Sequence, residues 1–159
     1  MGTRTLTKLS FLDRLLGFGL SDECDRSGVA VSSMASLEGG LIRDLEWLLN
    51  TPQASDPLRV PCDELSRSLY AYGFPDVASM TQHAGLDQEL ARAIENAIAL
   101  FEPRLRGVTV TASPALKPGN RRFVLSAFVT AEPAPHRVLM DASLDLGTHR
   151  FSVGGSQDA

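Results

Sequence analysis

Apolar residues recur at helical spacing in two stretches of the N-terminal two thirds of the chain. The first stretch predicts an amphipathic helix over about residues 36–49, and the second predicts a helix that starts after Asp87 and stops before Pro103. Proline ends the second helix because it disfavours helical backbone at the residue before it. The apolar stripes consist of Leu37, Leu41, Leu45, Leu48 and Leu49 in the first helix and of Leu90, Ile94, Ile98 and Phe101 in the second.

Shorter elements are predicted around these two helices. Thr7 or Ser10 can cap a turn or two of helix over residues 11–16, and the polar residues 19–32 are expected to form a loop. The other predicted elements are a short helix over about residues 63–70, a turn at residues 72–76 and a helical turn within residues 77–86.

The hydrophobic period changes from helical to alternating after Arg104. Four strands are predicted, at residues 108–112, 123–129, 137–142 and 149–153. The connections between them are short, which favours antiparallel pairing because a parallel crossover needs about a dozen residues or more. The expected fold class is therefore α+β, with N-terminal helices packed on a small C-terminal antiparallel β-sheet.

Length and charge limit the number of domains and the classes of partner that the chain can have. The 159 residues suit a single domain over residues 1–159, with residues 1–9 and 154–159 expected to be flexible tails. The net charge of -4 argues against a general nucleic-acid binder, which usually shows a basic surface. Residues 1–103 hold 8 basic and 15 acidic side chains, whereas residues 104–159 hold 7 and 4. This asymmetry suggests partners of differing charge or simply uneven solvated surfaces.

Cysteine usage and hydropathy indicate the compartment. Cys24 and Cys62 are far apart and follow no metal or redox spacing, which favours a reducing environment. The N-terminus lacks the apolar core of a signal peptide, and no stretch approaches the roughly 18 apolar residues of a membrane span. We expect a soluble, cytoplasmic protein that does not insert into a membrane.

Catalytic and metal-binding patterns are weak. The three histidines lie in separate segments without metal-ligand spacing, so no metal and no cofactor are expected. The glycine pairs match neither a phosphate-binding loop nor a dinucleotide fingerprint, and no serine-hydrolase elbow occurs. A glycosidase would need two carboxylates roughly 5 to 10 Å apart, one with a raised pKa. The acidic candidates for that role are Glu95, Glu102, Asp141 and Asp145.

The most specific local feature is the segment Phe101-Glu102-Pro103-Arg104. It ends the strongest predicted helix and precedes the predicted strands. If it is extended, Glu102 and Arg104 point to the same side, because side chains alternate with period two. The segment is then either a helix stop with a local ion pair or a charge pair positioned for docking into a polar socket of a partner. The residues alone favour the first interpretation.

Several stretches resemble the TssE family, relatives of the tail-phage baseplate wedge proteins that are often labelled lysozyme-like. FEPRL after an amphipathic helix is the most specific of them, and together they cover most of the chain in the family's order. The stretches are FLDRLLG (11–17), RDLEWLLN (43–50), YGFPD (72–76), FEPRL (101–105), FVLSAFV (123–129) and SLDLGTHRFSV (143–153).

The resemblance implies a structural, non-enzymatic role in a type VI secretion baseplate. It implies the baseplate partners TssF, TssG and TssK around a spike hub, the sheath partners TssB and TssC, and a position at the cytoplasmic face of the inner membrane. Glu102, Pro103 and Arg104 are then the expected partner-binding residues, and we expect the C-terminal sheet to initiate sheath assembly by accepting partner strands at an edge. Two alternatives remain at this point: a peptidoglycan-degrading lysozyme-like enzyme and a regulatory anti-adaptor on the same fold.

Overall fold

A computed structural model of the chain describes most of its C-terminal two thirds and parts of the remainder. The described residues are 5–8, 29–32, 34–53, 68–80, 85–114, 117–130 and 134–155. They contain two α-helices, two short 3₁₀ helices and six β-strands.

The two helices follow the predicted apolar stripes. Helix α1 spans Met34–Asn50, and helix α2 spans Leu86–Phe101. Each buries one face, because its apolar residues recur every three or four positions and therefore align along one side. In α2 the first turn also carries Asp87 and Glu89, whose negative charge suits the positive end of the helix dipole.

The turn between the 3₁₀ helices Leu69–Ala71 and Val77–Ser79 lies against the segment that follows α1. Phe74 exchanges backbone hydrogen bonds with the end of α1: its N–H donates to the carbonyl of Thr51 at 2.8 Å, and its carbonyl accepts from Gln53 N–H at 2.9 Å. Gly73 makes this approach possible, with φ of 123° and a position where a Cβ would lie 2.5 Å from the Thr51 carbonyl oxygen. Glycine is the residue that tolerates both conditions.

The strands form two antiparallel sheets. A two-stranded sheet pairs β1 with β2, and a four-stranded sheet has the order β3-β4-β5-β6, so each strand lies beside its neighbour in the sequence. The strand bounds are Thr5–Lys8 (β1), Val29–Ser32 (β2), Leu105–Ser113 (β3), Asn120–Val129 (β4), His136–Asp145 (β5) and Arg150–Gly155 (β6).

The register of the four-stranded sheet is continuous except near the start of β3. Between Arg106 and Thr109 the pairing with β4 shifts, and Gly107 at the shift has φ of 59°. This is a β-bulge, which bends an edge strand and increases its twist. β4 and β5 pair without interruption from Asn120 with Asp145 to Val129 with His136.

One core joins the helices to one face of this sheet. α2 packs chiefly on β3, and α1 packs chiefly on β6. Alternate residues of the strands face the helices, as their burial pattern along β4 and β5 shows. The most completely buried large side chains are Leu41, Leu45, Phe74, Leu86, Leu90, Ile94, Ile98, Phe123, Leu125, Met140, Leu144 and Phe151.

The predicted fold class is confirmed: helices precede a four-stranded antiparallel sheet in an α+β arrangement. Within the described residues, neither helix has the length and hydropathy needed to cross a bilayer. The strands are longer than predicted because polar residues at their ends, such as Arg121 and Ser143, continue the ladders. The predicted helical turn within residues 77–86 is confirmed as the 3₁₀ helix Val77–Ser79.

The N-terminal region differs from the prediction where it is described. Residues 29–32 are strand β2 and not part of a loop, because Val29 and Val31 are β-branched and pair with β1. Thr7 lies in β1, so it does not cap a helix, and residues 5–8 and 154–155 of the expected tails are in strands. The predicted helix over residues 11–16, most of the helix over 63–70 and both cysteines lie outside the described residues.

Candidate functional site

The junction between α2 and β3 holds the segment that the sequence singled out. α2 ends at Phe101, and Glu102 N–H still donates to the Ile98 carbonyl at 2.9 Å. Pro103 cannot continue the helix because it lacks an N–H and its ring disfavours helical backbone before it. Leu105 N–H then donates to the Glu102 carbonyl at 3.2 Å, so the chain turns into β3 within three residues.

Glu102 and Arg104 form a two-pronged ion pair across Pro103. Arg104 Nε donates to Glu102 Oε1 at 2.7 Å, and Arg104 Nη2 donates to Glu102 Oε2 at 2.6 Å. The Arg104 backbone N–H adds a bond to Glu102 Oε1 at 3.2 Å. Both residues are only 7% exposed, whereas Pro103 between them is exposed. The planar guanidinium suits this geometry, since its parallel donors match the two oxygens of a carboxylate.

Asp44 of α1 completes the charged group. Its Oδ2 accepts from Arg104 Nη2 at 2.7 Å, and its Oδ1 accepts from Arg43 Nη2 at 2.9 Å. The Asp44 side chain is 11% exposed, against 34% for Arg43, so the group runs from the interior toward the surface. We call Asp44, Glu102 and Arg104 the junction triad. It ties α1 to the point where α2 becomes β3.

The electrostatics of the junction triad favour the charged form of Arg104. Burial lowers the pKa of Arg104, but the hydrogen bonds and charges of Glu102 and Asp44 outweigh it, and the pKa is raised overall. Tyr72 lies in the same field: burial raises its pKa, and the negative charges of Asp44 and Glu102 raise it further. Its ring packs edge-on against Phe101, with ring centroids 5.3 Å apart. This arrangement keeps the tyrosine neutral and Arg104 charged.

Glu102 and Arg104 lie on the same side of the chain, but residues 102–105 form a turn and are not extended, so the ion pair across the turn and not strand alternation brings the two side chains together. The charged atoms contact each other and Asp44, and of the three expected partner-binding residues Pro103 has the exposed surface. Sequence reasoning missed Asp44. The signal available was an acidic residue between Leu41 and Leu45, beside the apolar stripe of α1.

The two outer strands of the four-stranded sheet are each touched by a helix side chain. At β6, the Asn50 side chain bonds both backbone groups of Phe151: Nδ2 donates to the carbonyl at 2.8 Å, and Oδ1 accepts from the N–H at 2.9 Å. At β3, Glu95 Oε2 accepts from Val110 N–H at 3.3 Å. Neither outer strand has a strand neighbour on its far side among the described residues.

A cleft of about 300 Å³ lies at the end of β3, and we call it the β3 cleft. Arg121 and Asp87 approach within 3.2 Å there, yet the buried atoms Asp87 Oδ1 and Arg121 Nε have no hydrogen-bond partner in the described protein. Its lining is formed by Asp87, Ala112, Ser113, Pro114, Arg121 and Arg122.

The carboxylates considered for hydrolysis are engaged in other contacts. Glu102 pairs with Arg104, Glu95 accepts from a backbone N–H, and Asp141 Oδ2 pairs with Arg122 at 2.8 Å. Asp145 accepts from the N–H groups of Thr148 and Gly147, and these bonds lower its pKa. A general acid needs the opposite shift. In the described part of the chain, no three His, Cys, Asp or Glu side chains form a group that could hold a metal ion.

The chain matches the model of a protein family over a continuous stretch. The family model described as "Baseplate wedge protein gp25" matches residues 35–134, which is more than half of the chain. The match includes α1 except its first residue, α2, the junction triad and the whole of β3 and β4. No curated protein sequence matches the chain.

Proposed function

The chain belongs to the family of baseplate wedge protein gp25, and from this membership we propose that it is the TssE-type component of a type VI secretion baseplate. The membership itself supports a structural role in a baseplate. In the proposed role the chain joins the wedge proteins TssF, TssG and TssK near the spike hub, at the cytoplasmic face of the inner membrane. It then initiates the contractile sheath by receiving the first TssB and TssC subunits.

The observation that carries the sheath-initiation role is the open four-stranded sheet. Its outer strands β3 and β6 have no strand neighbour on their far sides within the described residues. An exposed strand edge is normally protected because its unpaired N–H and carbonyl groups attract other chains. A partner that adds an extended segment to such an edge gains main-chain hydrogen bonds, while alternate side chains provide specificity.

The junction triad supports the same role by fixing the helix-to-sheet geometry. Glu102 and Arg104 hold the start of β3 against α1 through Asp44, so the sheet is presented at a set angle to the helices. In this proposal Glu102, Pro103 and Arg104 remain the partner-binding segment, with Pro103 making the surface contact. The two charged residues then act mainly by holding that segment in place.

The sheath-initiation role is tested in cells that carry a fluorescent sheath subunit. We expect sheath structures to be lost when the chain is absent and restored by the wild-type chain, and we expect TssF, TssG and TssK to co-purify with it. Pro103→Ala, which changes the exposed residue of the segment, should lower sheath number while the circular dichroism spectrum stays unchanged. Normal sheath assembly in cells without the chain would refute the role.

We also propose that the chain is not a peptidoglycan hydrolase. The engagement of Glu102, Asp141 and Asp145 supports this, since ion pairs or backbone hydrogen bonds occupy carboxylate oxygens that a hydrolase would present to its substrate. The test is the turbidity of purified cell walls mixed with the chain, which should not fall. Clearing that disappears in Glu102→Gln or Asp141→Asn would reverse the assignment.

A further inference from the structure

The two edges of the four-stranded sheet differ in how firmly they are closed. In an antiparallel ladder, alternate residues of an edge strand turn both backbone groups away from the neighbouring strand. On β6 these residues are Phe151, Val153 and Gly155, because Phe151 bonds Asn50 on the side away from β5. On β3 beyond the bulge they are Val110 and Ala112, because Val110 N–H points to Glu95.

The β6 edge is closed by a matched pair of bonds. The Asn50 side chain accepts from Phe151 N–H at 2.9 Å and donates to the Phe151 carbonyl at 2.8 Å, as the backbone of a neighbouring strand would. Asn50 Nδ2 also lies 2.8 Å from the Glu46 carbonyl within α1, which holds the amide in place. Only Val153 and Gly155 of the six-residue strand keep outward groups without a partner among the described residues. A partner strand would have to displace both bonds of Asn50 in order to pair with Phe151.

The β3 edge is closed by a single weaker bond. Glu95 Oε2 accepts from Val110 N–H at 3.3 Å, near the long limit for such a bond, and leaves the Val110 carbonyl unfilled. Ala112 is exposed, and no hydrogen bond of the described residues reaches its outward groups. A backbone carbonyl from another chain can replace the Glu95 carboxylate, which is itself partly exposed and can turn to solvent or to a basic side chain.

The β3 cleft lies beside this edge and contains polar atoms that lack partners. Ala112, Ser113 and Pro114 of its lining continue from the open part of β3. The cleft also contains Asp87 Oδ1 and Arg121 Nε, which are buried and have no hydrogen-bond partner in the described protein. Buried polar atoms in native proteins are nearly always bonded to protein or to ordered water, so these two atoms can accept either solvent or a group of a partner. The third buried atom of this kind among the described residues, Asp141 Oδ1, lies on β5 and is not part of the lining of the β3 cleft.

We infer that β3 is the edge that accepts the partner strand, with Glu95 as a displaceable cover and the β3 cleft as a side-chain socket. This inference rests on the proposed function and names its contact surface. The occupant is an extended segment of a sheath subunit. It pairs with Val110 and Ala112 and places into the cleft a side chain that both donates and accepts hydrogen bonds. An Asn or Gln amide has this chemistry: its NH₂ can donate to Asp87, and its oxygen can accept from Arg121.

A matched pair of proline variants tests the edge. Ala112→Pro removes an outward N–H of β3 and puts a ring where the partner strand would lie, and Gly155→Pro does the same on β6. Both positions are exposed, and a side chain at Gly155 would meet nothing within 4 Å. The measurement is the affinity of each full-length variant for purified TssB–TssC sheath subunits, together with its thermal melting curve.

We expect Ala112→Pro to lower the affinity for the sheath subunits about tenfold or more, because it removes a main-chain hydrogen bond and adds a steric clash. We expect Gly155→Pro to change this affinity by no more than about twofold. The reverse pattern, equal losses in both variants, or no loss in either would overturn the β3 assignment while leaving sheath initiation standing. If the wild-type chain itself does not associate with the sheath subunits, the proposed function fails instead.

Photo-crosslinking keeps the assignment testable if Ala112→Pro does not fold. A photoreactive residue is placed at exposed Thr111 on β3 or at exposed Ser152 on β6, with every other residue unchanged. We expect a covalent adduct with a sheath subunit from position 111 and none from position 152. Adducts from position 152 alone would assign the partner to β6.

Discussion

Two groups of ion pairs in the chain differ in what surrounds them. The junction triad is enclosed: Glu102 and Arg104 are each 7% exposed, and their contacts measure 2.6 to 2.7 Å. The pair of Arg121 and Asp87 at the other end of β4 is open, with 35% and 44% of the side chains exposed and a contact of 3.2 Å. Both groups link α-helix to strand, so the difference lies in burial and geometry.

Burial changes what such a pair does. Enclosed charges have left water, which costs several kcal/mol per ion, and their mutual bonds offset that cost only while every member is present. An open pair keeps much of its hydration, so its formation and its loss both change stability little. Removal of one member of the junction triad should therefore lower the free energy of unfolding strongly. Removal of one member of the open pair should change it little, and the open pair remains available to a partner.

Arg104→Ala should have the largest effect. It leaves the buried carboxylate of Glu102 without a cation and Asp44 with Arg43 alone, and removing one partner of a buried pair costs about 3–5 kcal/mol. The measurement is the free energy of unfolding from urea titration at neutral pH. A decrease in the free energy of unfolding below about 1 kcal/mol would show that the junction triad contributes no more to stability than an exposed ion pair does.

Asp44→Asn should have an intermediate effect. The amide oxygen can still accept from Arg104, but the negative charge is lost, and a hydrogen bond to a charged group contributes about 1.5–3 kcal/mol. Urea titration of the single variants and of the double variant with Arg104→Ala gives the coupling between the two residues. We expect strong coupling, because both act through the same bond. Additive losses would show that Asp44 acts elsewhere.

Tyr72→Phe should change the response to alkaline pH. The pKa of Tyr72 is raised in the folded chain by burial and by the charges of Asp44 and Glu102. The neutral form therefore contributes stability that is fully present below the ordinary tyrosine pKa of about 10 and is lost as pH rises through the higher folded value. Melting temperatures between pH 9 and 11.5 should fall less steeply in Tyr72→Phe than in the wild-type chain. Parallel curves would place Tyr72 outside the field of the triad.

Arg121→Ala should have the smallest effect on stability. Its pair with Asp87 is more than one third exposed on both sides, and exposed pairs contribute about 0–1 kcal/mol. Salt should weaken even this contribution, because exposed charges are screened. Urea titration at low and high salt checks both statements. A loss of about 3 kcal/mol would show that the open pair is as structural as the junction triad.

The sequence predicts the elements that have a local signature. α1 and α2 follow from leucine and isoleucine stripes, and the strands follow from the alternation that places Phe123, Leu125 and Ala127 on the core face. The end of α2 before Pro103 also follows from a local rule. Each of these depends on residues within a few positions of one another.

The remainder depends on contacts between distant parts of the chain. Asp44 and Arg104 meet across 60 residues, and Asn50 and Phe151 across 101, and no local pattern marks either pair. Strand β2 was missed because four residues with two valines give too short an alternation to outweigh the polar stretch before them. The covers of the two sheet edges, Asn50 and Glu95, could be recognised only once the strand order was known.

The order β3-β4-β5-β6 has a consequence for how the chain reaches its native state. Every pair of neighbouring strands in this sheet is also consecutive in the sequence. The sheet can therefore form one hairpin at a time, and each step closes only a short loop. The bond from Asn50 to Phe151 must instead bring together ends that are 101 residues apart, and the entropy of that closure is repaid only when β6 is already in place. The hydrogen bonds between Asn50 and Phe151 therefore form late in folding. Until they form, the outer edge of β6 is not covered by Asn50.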